Sequence, residues 1–150
     1  MLQQDTIAAL VTAVGESSVG IIRISGPEAV NIAGKLYKGK SNLHTAESHT
    51  IHYGYVYDEA NDKKIDEALF LLMLGPRSFT GEDIVEVQCH GGMVVLKQTL
   101  QLILSLGARM AEQGEYSKRA FLNGRLDLAQ AESIMDIVQA KTERGVDLAL

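Results

Sequence analysis

The sequence predicts an α+β fold: a mixed or antiparallel sheet with helices, followed by a helical segment. Segments with the two-residue alternation of strands are mixed with segments of helical periodicity. In addition, two strand-like segments flank a polar turn, as in an antiparallel hairpin with a longer loop. The predicted strands are residues 6–12, 19–24, 50–58, 65–74, 84–90 and 108–111. The predicted helices begin at residue 27, cover 93–106 and 117–122, and begin again at 127.

The first part of the chain is predicted to form two strands and a helix. The first strand is rich in apolar and β-branched side chains. In the second strand, alternation separates Arg23 from the apolar pair Ile22 and Ile24. Pro27 suits the first position of a helix. The apolar stripe of that helix is Ala29, Ile32, Ala33 and Leu36.

A polar loop over residues 38–49 leads into the hairpin. Its first strand alternates, so that one face carries Ile51, Tyr53, Tyr55 and Tyr57. Its second strand is apolar without alternation. We therefore expect a central strand that is covered on both faces.

The remaining elements are bounded by capping residues. The apolar helix over residues 93–106 ends at Gly107, a residue type that commonly follows helix ends. Ser117 is predicted to cap the next helix, which Asn123-Gly124 ends. Asp127 is predicted to cap the last helix with Gln130 as its capping-box partner. The apolar stripe of that helix is Leu128, Ala131, Met135, Val138 and Val146.

Size, charge and cysteine content limit the function. The chain has 150 residues and a net charge of −5, which argues against a general nucleic-acid binder. Its single Cys89 cannot form an internal disulfide, and the first residues resemble neither a signal nor a transit peptide. We therefore expect a cytoplasmic protein without a membrane segment. The chain stops within a helical pattern, so we expect a piece of a longer protein.

Glu86 lies in the middle of a predicted strand. Alternation places Val85, Val87 and Cys89 on one face and Glu86 with Gln88 on the other. A carboxylate buried alone carries a large desolvation cost. Either this face meets water, which periodicity alone favours, or Glu86 accepts two parallel hydrogen bonds from a planar ligand with adjacent N–H groups.

One single cation and one cluster of cations each have a structural and a functional interpretation. Arg23 interrupts an apolar strand, so its stem covers apolar surface while its head reaches water, or its guanidinium binds a carboxylate or phosphate. Lys118, Arg119 and Arg125 surround an Asn-Gly and form either a solvated helix face or an anion pocket. The residues alone favour solvated side chains in both cases.

Four stretches resemble one known family and occur in the family's order. They are DTIAAL, VGIIRISGP, PRSFTGEDIVEVQCHGG and GEYSKRAFLNGRLDLAQAESIMDIV. These stretches are similar to the N-terminal part of the MnmE, or TrmE, family of tRNA modification GTPases. The resemblance implies that residues 1–116 are a folate-binding and dimerisation domain, similar in fold to the tetrahydrofolate-binding domain of aminomethyltransferases. Residues 117–150 are then the start of a helical domain.

The resemblance also implies a function for the whole protein. The family uses a tetrahydrofolate derivative, 5-formyl- or 5,10-methylene-tetrahydrofolate, to install aminomethyl or carboxymethylaminomethyl groups at C5 of the tRNA wobble uridine. It works as a homodimer with MnmG (GidA), an FAD-dependent partner. GTP, Mg²⁺ and K⁺ belong to a GTPase domain outside this sequence, so we expect no GTP hydrolysis by this chain.

Three residues are implied as folate contacts by their place in the family's motifs. The arginine of GIIRISG is Arg23, the second glutamate of TGEDIVE is Glu86, and the basic residue of LNGRLD is Arg125, where many members have Lys. Glu86 suits the adjacent N–H groups of a reduced pterin, and both arginines suit the carboxylates of the folate tail. Lys118 and Arg119 are expected at the pocket rim or a subunit contact.

The alternative function is that of a protein-interaction module. Under this hypothesis the chain dimerises or docks MnmG and does not bind folate. An exposed aromatic surface, for which Tyr53, Tyr55 and Tyr57 are candidates, would matter more than Arg23 or Arg125.

Overall fold

Within residues 5–12 and 19–134, which the computed structural model describes, seven strands form one mixed sheet. The strands are β1 (Ile7–Leu10), β2 (Gly20–Ser25), β3 (Tyr37–Gly39), β4 (Thr50–Asp58), β5 (Lys63–Met73), β6 (Ile84–Cys89) and β7 (Arg109–Met110). The helices are α1 (Ala29–Leu36), α2 (Gly92–Ser105) and α3 (Glu115–Leu122), and residues 128–134 are also helical. The sheet order is β3-β4-β5-β6-β2-β1-β7. β1 and β7 are parallel and the other neighbours are antiparallel, which confirms the predicted α+β class.

One face of the sheet carries the main core beneath α1 and α2. Ile22 and Ile24 of β2 are fully buried there, and so is Phe70 of β5. The predicted stripe of α1 is confirmed, because Ala29, Ile32, Ala33 and Leu36 are all buried. The predicted faces of β6 are also confirmed, since Val85, Val87 and Cys89 lie in this core. Alternation therefore leaves Glu86 and Arg23 on the opposite face of the sheet.

Among the described residues, the second face is covered at one side. There α3 packs Tyr116 against Ile7 and Ala9 of β1. Toward β4 this face is open, and Ile51 and Tyr53 are 63% and 54% exposed. The expectation that β5 is covered on both faces is therefore wrong: residues 68–73 alternate between buried and half-buried, and residues 63–67 are exposed or half-buried. The sequence of β5 shows no alternation of apolar and polar residues, because leucines occupy its open face as well as its buried face.

Several element boundaries differ from the prediction. β3 lies partly within the predicted polar loop and forms the sheet edge beside β4. α3 begins at Glu115 after Gly114, so Ser117 is a buried residue inside the helix rather than its cap. The predicted boundary after residue 116 thus falls within α3, and the division into two domains stays a prediction.

The capping box at the last helix is confirmed. The backbone N–H of Gln130 donates to Oδ1 of Asp127 at 2.7 Å, and the backbone N–H of Asp127 donates to Oε1 of Gln130 at 2.9 Å. Met135, Val138 and Val146 of the predicted stripe lie outside the described residues. In the described part of the chain, every helix is too short or too polar to cross a membrane.

Candidate functional site

Arg23 and Glu86 form an ion pair on the open face of the sheet. The register of β2 and β6 places the two residues directly opposite each other. Nε of Arg23 donates to Oε2 of Glu86 at 2.8 Å, and the two side chains are 24% and 16% exposed. Each charge therefore compensates the other on a half-buried surface, while both side chains remain reachable from the open side.

Two aromatic rings flank the Arg23 guanidinium. Its Cζ lies 5.5 Å from the centre of the Phe79 ring and 5.2 Å from that of Tyr116, distances at which a cation is attracted to a ring face. The Tyr116 hydroxyl donates to the backbone carbonyl of Arg23 at 2.6 Å. Burial raises the pKa of Tyr116, which keeps this hydroxyl protonated. The Glu86 carboxylate and the two rings thus hold the guanidinium in place.

The loop over residues 75–83 carries Phe79 to this site. Its Thr80 is fully buried, and Thr80 Oγ1 lies 2.8 Å from Oγ of Ser25 in β2. The same Ser25 hydroxyl donates to Oε1 of Glu82 at 2.8 Å. Phe79 itself is 39% exposed. Hydrogen bonds on the C-terminal side of Phe79 therefore fix a loop whose aromatic side chain stays accessible.

Arg125 is attached to the same loop. Its Nε donates to the backbone carbonyl of Ser78 at 2.8 Å, and Asn123 Nδ2 donates to that of Thr80 at 2.9 Å. Gly81 permits this approach, because it has φ of +83° and a Cβ there would lie 2.9 Å from Cβ of Asn123. The three sequence-predicted residues are thus connected: Arg23 contacts Glu86 directly, and Arg125 reaches them through Ser78 and Phe79.

Arg119 is part of the scaffold, so the expectation that it lies at an accessible pocket rim is wrong, while its place at a subunit contact stays a prediction. It is 6% exposed. Its guanidinium forms ion pairs with Asp5, Glu82 and Glu115. Lys118, by contrast, is exposed. Adjacent cations in the sequence suggest one accessible cluster. In α3, however, the side chains of Lys118 and Arg119 lie in different environments, one exposed and one buried.

Arg109 extends this charged network and was missed in the sequence. Its Nε and Nη2 donate to the two carboxylate oxygens of Asp5, and its Nη1 and Nη2 donate to those of Glu115. The network joins Asp5, which lies just before β1, to the loop over 75–83 and to α3. The sequence offered no local signal for this residue, because its partner Asp5 lies 104 positions away.

The charged network predicts loss of stability in acid. The hydrogen bond from Arg109, assisted by Arg119, lowers the pKa of Asp5 from 3.8 to about 2. Because the folded-state pKa is the lower one, the contribution of Asp5 is fully present above pH of about 4 and is lost as the pH falls toward 2. We expect Asp5→Asn to flatten this part of the pH dependence, measured as urea unfolding midpoints between pH 5 and 2.5. An unchanged slope in the variant would contradict the assignment.

Other chemistry-bearing groups among the described residues carry no candidate site for thiol or metal chemistry. Burial raises the pKa of the Cys89 thiol to about 12, so it stays protonated. Within residues 5–12 and 19–134, no group of three His, Cys, Asp or Glu side chains is placed to hold a metal ion. A cavity of about 790 Å³ lies between α2 and the β4–β5 turn, lined in part by Lys35, Asp58 and Gln101. Neither Arg23 nor Glu86 lines this cavity. We place the candidate site at the Arg23–Glu86 ion pair, where side chains from two strands, the loop over 75–83 and α3 meet.

Comparison with known proteins identifies relatives over nearly the whole chain. The family model described as "GTP-binding protein TrmE N-terminus" matches residues 6–125, a span that includes Arg23, Glu86 and Arg125. Proteins named "tRNA modification GTPase MnmE" from Bacillus subtilis (strain 168) and Enterococcus faecalis (strain ATCC 700802 / V583) are 52% and 53% identical over 97% and 99% of this chain. The one from Alkaliphilus oremlandii (strain OhILAs) is 53% identical over 100% of it. The chain spans about a third of the length of these curated relatives, 32% or 33% in each case.

Proposed function

This chain belongs to the TrmE N-terminal family, and we propose that it is the tetrahydrofolate-binding and dimer-forming domain of a tRNA-modifying GTPase. The observation that carries the proposal is the Arg23–Glu86 pair, which is held on the open face of the sheet. On this proposal the fold is similar to the tetrahydrofolate-binding domain of aminomethyltransferases. Arg23, Glu86 and Arg125 are the residues that contact the folate.

The chemistry of a reduced pterin fits Glu86. The pterin presents a ring N–H and an exocyclic amino group side by side, and one carboxylate can accept from both. A carboxylate has about four lone-pair positions. The bond from Arg23 to Oε2 therefore leaves acceptor capacity for a ligand. Hydrogen bonds to a charged group contribute about 1.5–3 kcal/mol each.

The role of the whole protein extends beyond this chain. The relatives are named tRNA modification GTPases. We extend that role to the protein that contains this chain: the folate, as 5-formyl- or 5,10-methylene-tetrahydrofolate, supplies the carbon that is added at C5 of the tRNA wobble uridine. The reaction then requires the FAD-dependent partner MnmG and takes place in the cytoplasm. GTP, with Mg²⁺ and K⁺, is used by a separate domain of that protein.

Calorimetry with 5-formyl-tetrahydrofolate tests the proposal. We expect micromolar binding, which corresponds to about −8 kcal/mol. Three charge-assisted contacts are sufficient for this affinity after the ordering costs of binding are deducted. Sedimentation velocity with and without the ligand reports the dimer in the same samples. A dimer that binds no folate would overturn the proposal in favour of a protein-interaction module.

A further inference from the structure

We infer that the cavity of about 790 Å³ between α2 and the β4–β5 turn is a binding site for a nucleotide. Lysines at the cavity contact the phosphate, and an aromatic wall with two amides contacts the base. This site goes beyond the proposed function, because it lies on the side of the sheet that carries α1 and α2, whereas the Arg23–Glu86 pair lies on the open face. Pockets that hold small organic molecules have volumes of about 300–1,000 Å³, and this cavity is within that range.

Two cations of the cavity are available to a ligand. Lys35 in the last turn of α1 and Lys63 at the start of β5 both line the cavity and are exposed. Neither side chain has a hydrogen bond or an ion pair to another described residue. A lysine ammonium binds phosphate as a point charge, and a phosphate monoester carries nearly two negative charges at neutral pH. The two lysines therefore suit the phosphate of a nucleotide.

The carboxylates of the cavity offset these cations only in part. Asp58 is engaged in the β4–β5 turn, where its two oxygens accept from the backbone N–H of Asn61 at 3.3 Å and from its Nδ2 at 2.7 Å. Glu59 is exposed in the same turn. A third lysine adjoins the cavity, because Nζ of Lys38 lies 4.0 Å from the centre of the Tyr57 ring that lines it. Among the described residues around the cavity, cations thus outnumber carboxylates.

One wall of the cavity suits a planar ring. Tyr57, Ile65 and Leu102 line it and are half-buried, so they offer apolar surface that a ligand can cover. The cation–π contact with Lys38 holds the Tyr57 ring in place. Nucleic-acid bases stack on aromatic side chains, because every base has a π-face. This wall can therefore hold the base of a nucleotide.

Two amides on α2 can contact the edge of that base. Gln98 and Gln101 lie three positions apart, so they share the helix face that lines the cavity. Neither amide is bonded to another described residue. Each carries a donor and an acceptor, the combination with which glutamine recognises adenine. The cavity thus offers partners for the phosphate, the plane and the edge of a nucleotide such as AMP.

NMR titration of the isotope-labelled chain with AMP, adenosine and ribose 5-phosphate tests this inference. AMP should shift the amide signals of cavity residues such as Ile65 and Leu102. It should bind about tenfold more tightly than either fragment, because only AMP has both the base and the phosphate. Adenosine that binds as tightly as AMP would contradict the role of the lysines and overturn the site.

A nucleotide in an RNA strand presents the same groups as a free nucleotide, and pentaadenylate distinguishes the two sources. If pentaadenylate binds at the cavity about tenfold more tightly than AMP, the ligand is an RNA strand. If its affinity equals that of AMP, the ligand is the free nucleotide. The absence of shifts at the cavity with both ligands at millimolar concentration would overturn the inference and would leave the proposed folate binding unaffected.

Variants of exposed residues assign the phosphate contact. Lys35→Gln and Lys63→Gln should each weaken AMP binding about two- to fivefold, the effect of an exposed cation, and should leave adenosine binding unchanged. Glu59→Gln should strengthen AMP binding about twofold, because it removes a carboxylate beside the phosphate. Lys97→Gln is the matched control, since Lys97 is an exposed lysine of α2 outside the cavity lining. Equal losses in Lys97→Gln and the two cavity variants would mean that AMP responds to overall charge, and the site would be wrong.

Discussion

Replacing Arg119 with methionine is expected to lower the free energy of unfolding by about 3–5 kcal/mol. Nη1 of Arg119 donates to the two carboxylate oxygens of Glu82 at 3.2 and 3.1 Å, and Nη2 donates to Glu115 at 3.3 Å. The Glu82 and Glu115 side chains are only 9% and 11% exposed. Methionine preserves much of the stem but leaves the Glu82 carboxylate without its cation, while Glu115 keeps its ion pair with Arg109. An uncompensated charge at such burial is among the few causes of a large single-residue effect.

The loss comes mainly from the Glu82 carboxylate, which is left without a cation, and a second substitution distinguishes this cause from lost packing. Adding Glu82→Gln to Arg119→Met removes that unpaired charge and should recover part of the lost stability. Lys118→Met is the matched control, because Lys118 is the exposed neighbour with the same charge. Its effect should stay within about 0.5 kcal/mol. Urea unfolding followed by circular dichroism gives all four values, and equal losses in the two methionine variants would contradict the buried network.

Alternation predicted the parts of this fold that depend on local sequence. In β6 the side-chain period of two separates Val85 and Val87 from Glu86, and the structure has the same separation. The apolar stripe of α1 and the capping box at Asp127 could be predicted because their interacting residues are close in the sequence. Successive members of each lie at most four positions apart.

Tertiary contacts could not be predicted in the same way. The strands β2 and β6 are adjacent although three other strands lie between them in the chain, and the Arg23–Glu86 bond joins residues 63 positions apart. Alternation placed each residue on a face but did not indicate that the two face each other. Arg119 shows the same limit, since its partners Asp5 and Glu82 lie 114 and 37 positions away.

The family motifs supplied what periodicity lacked for the site. Periodicity favoured water for the face that carries Arg23 and Glu86, and that face is indeed partly open. A partly open face is also what a ligand needs. Solvation and binding are therefore compatible at this position, so periodicity could not predict a ligand, and the hypothesis of one came from the motifs.

Replacing Glu86 with glutamine is expected to weaken the binding of 5-formyl-tetrahydrofolate by about 2–3 kcal/mol, or roughly 30- to 150-fold. Glutamine has one acceptor oxygen and one amide nitrogen, so only one of the two pterin N–H groups finds an acceptor and the other meets a donor. The amide oxygen can still accept from Nε of Arg23, and the fold should be retained. Calorimetry gives the affinity, and the urea midpoint of the same preparation reports the fold.

The control must remove a charge from the same face without touching the site. Glu67→Gln does this, because Glu67 lies on β5, is exposed and accepts a hydrogen bond from Tyr53 rather than from Arg23. It should bind folate as the unchanged chain does. An equal loss of affinity in both variants would mean that folate binding depends on the overall charge of this face and not on a direct contact with Glu86. Unchanged binding in Glu86→Gln, with the fold intact, would remove Glu86 from the site and leave Arg23 with a purely structural partner.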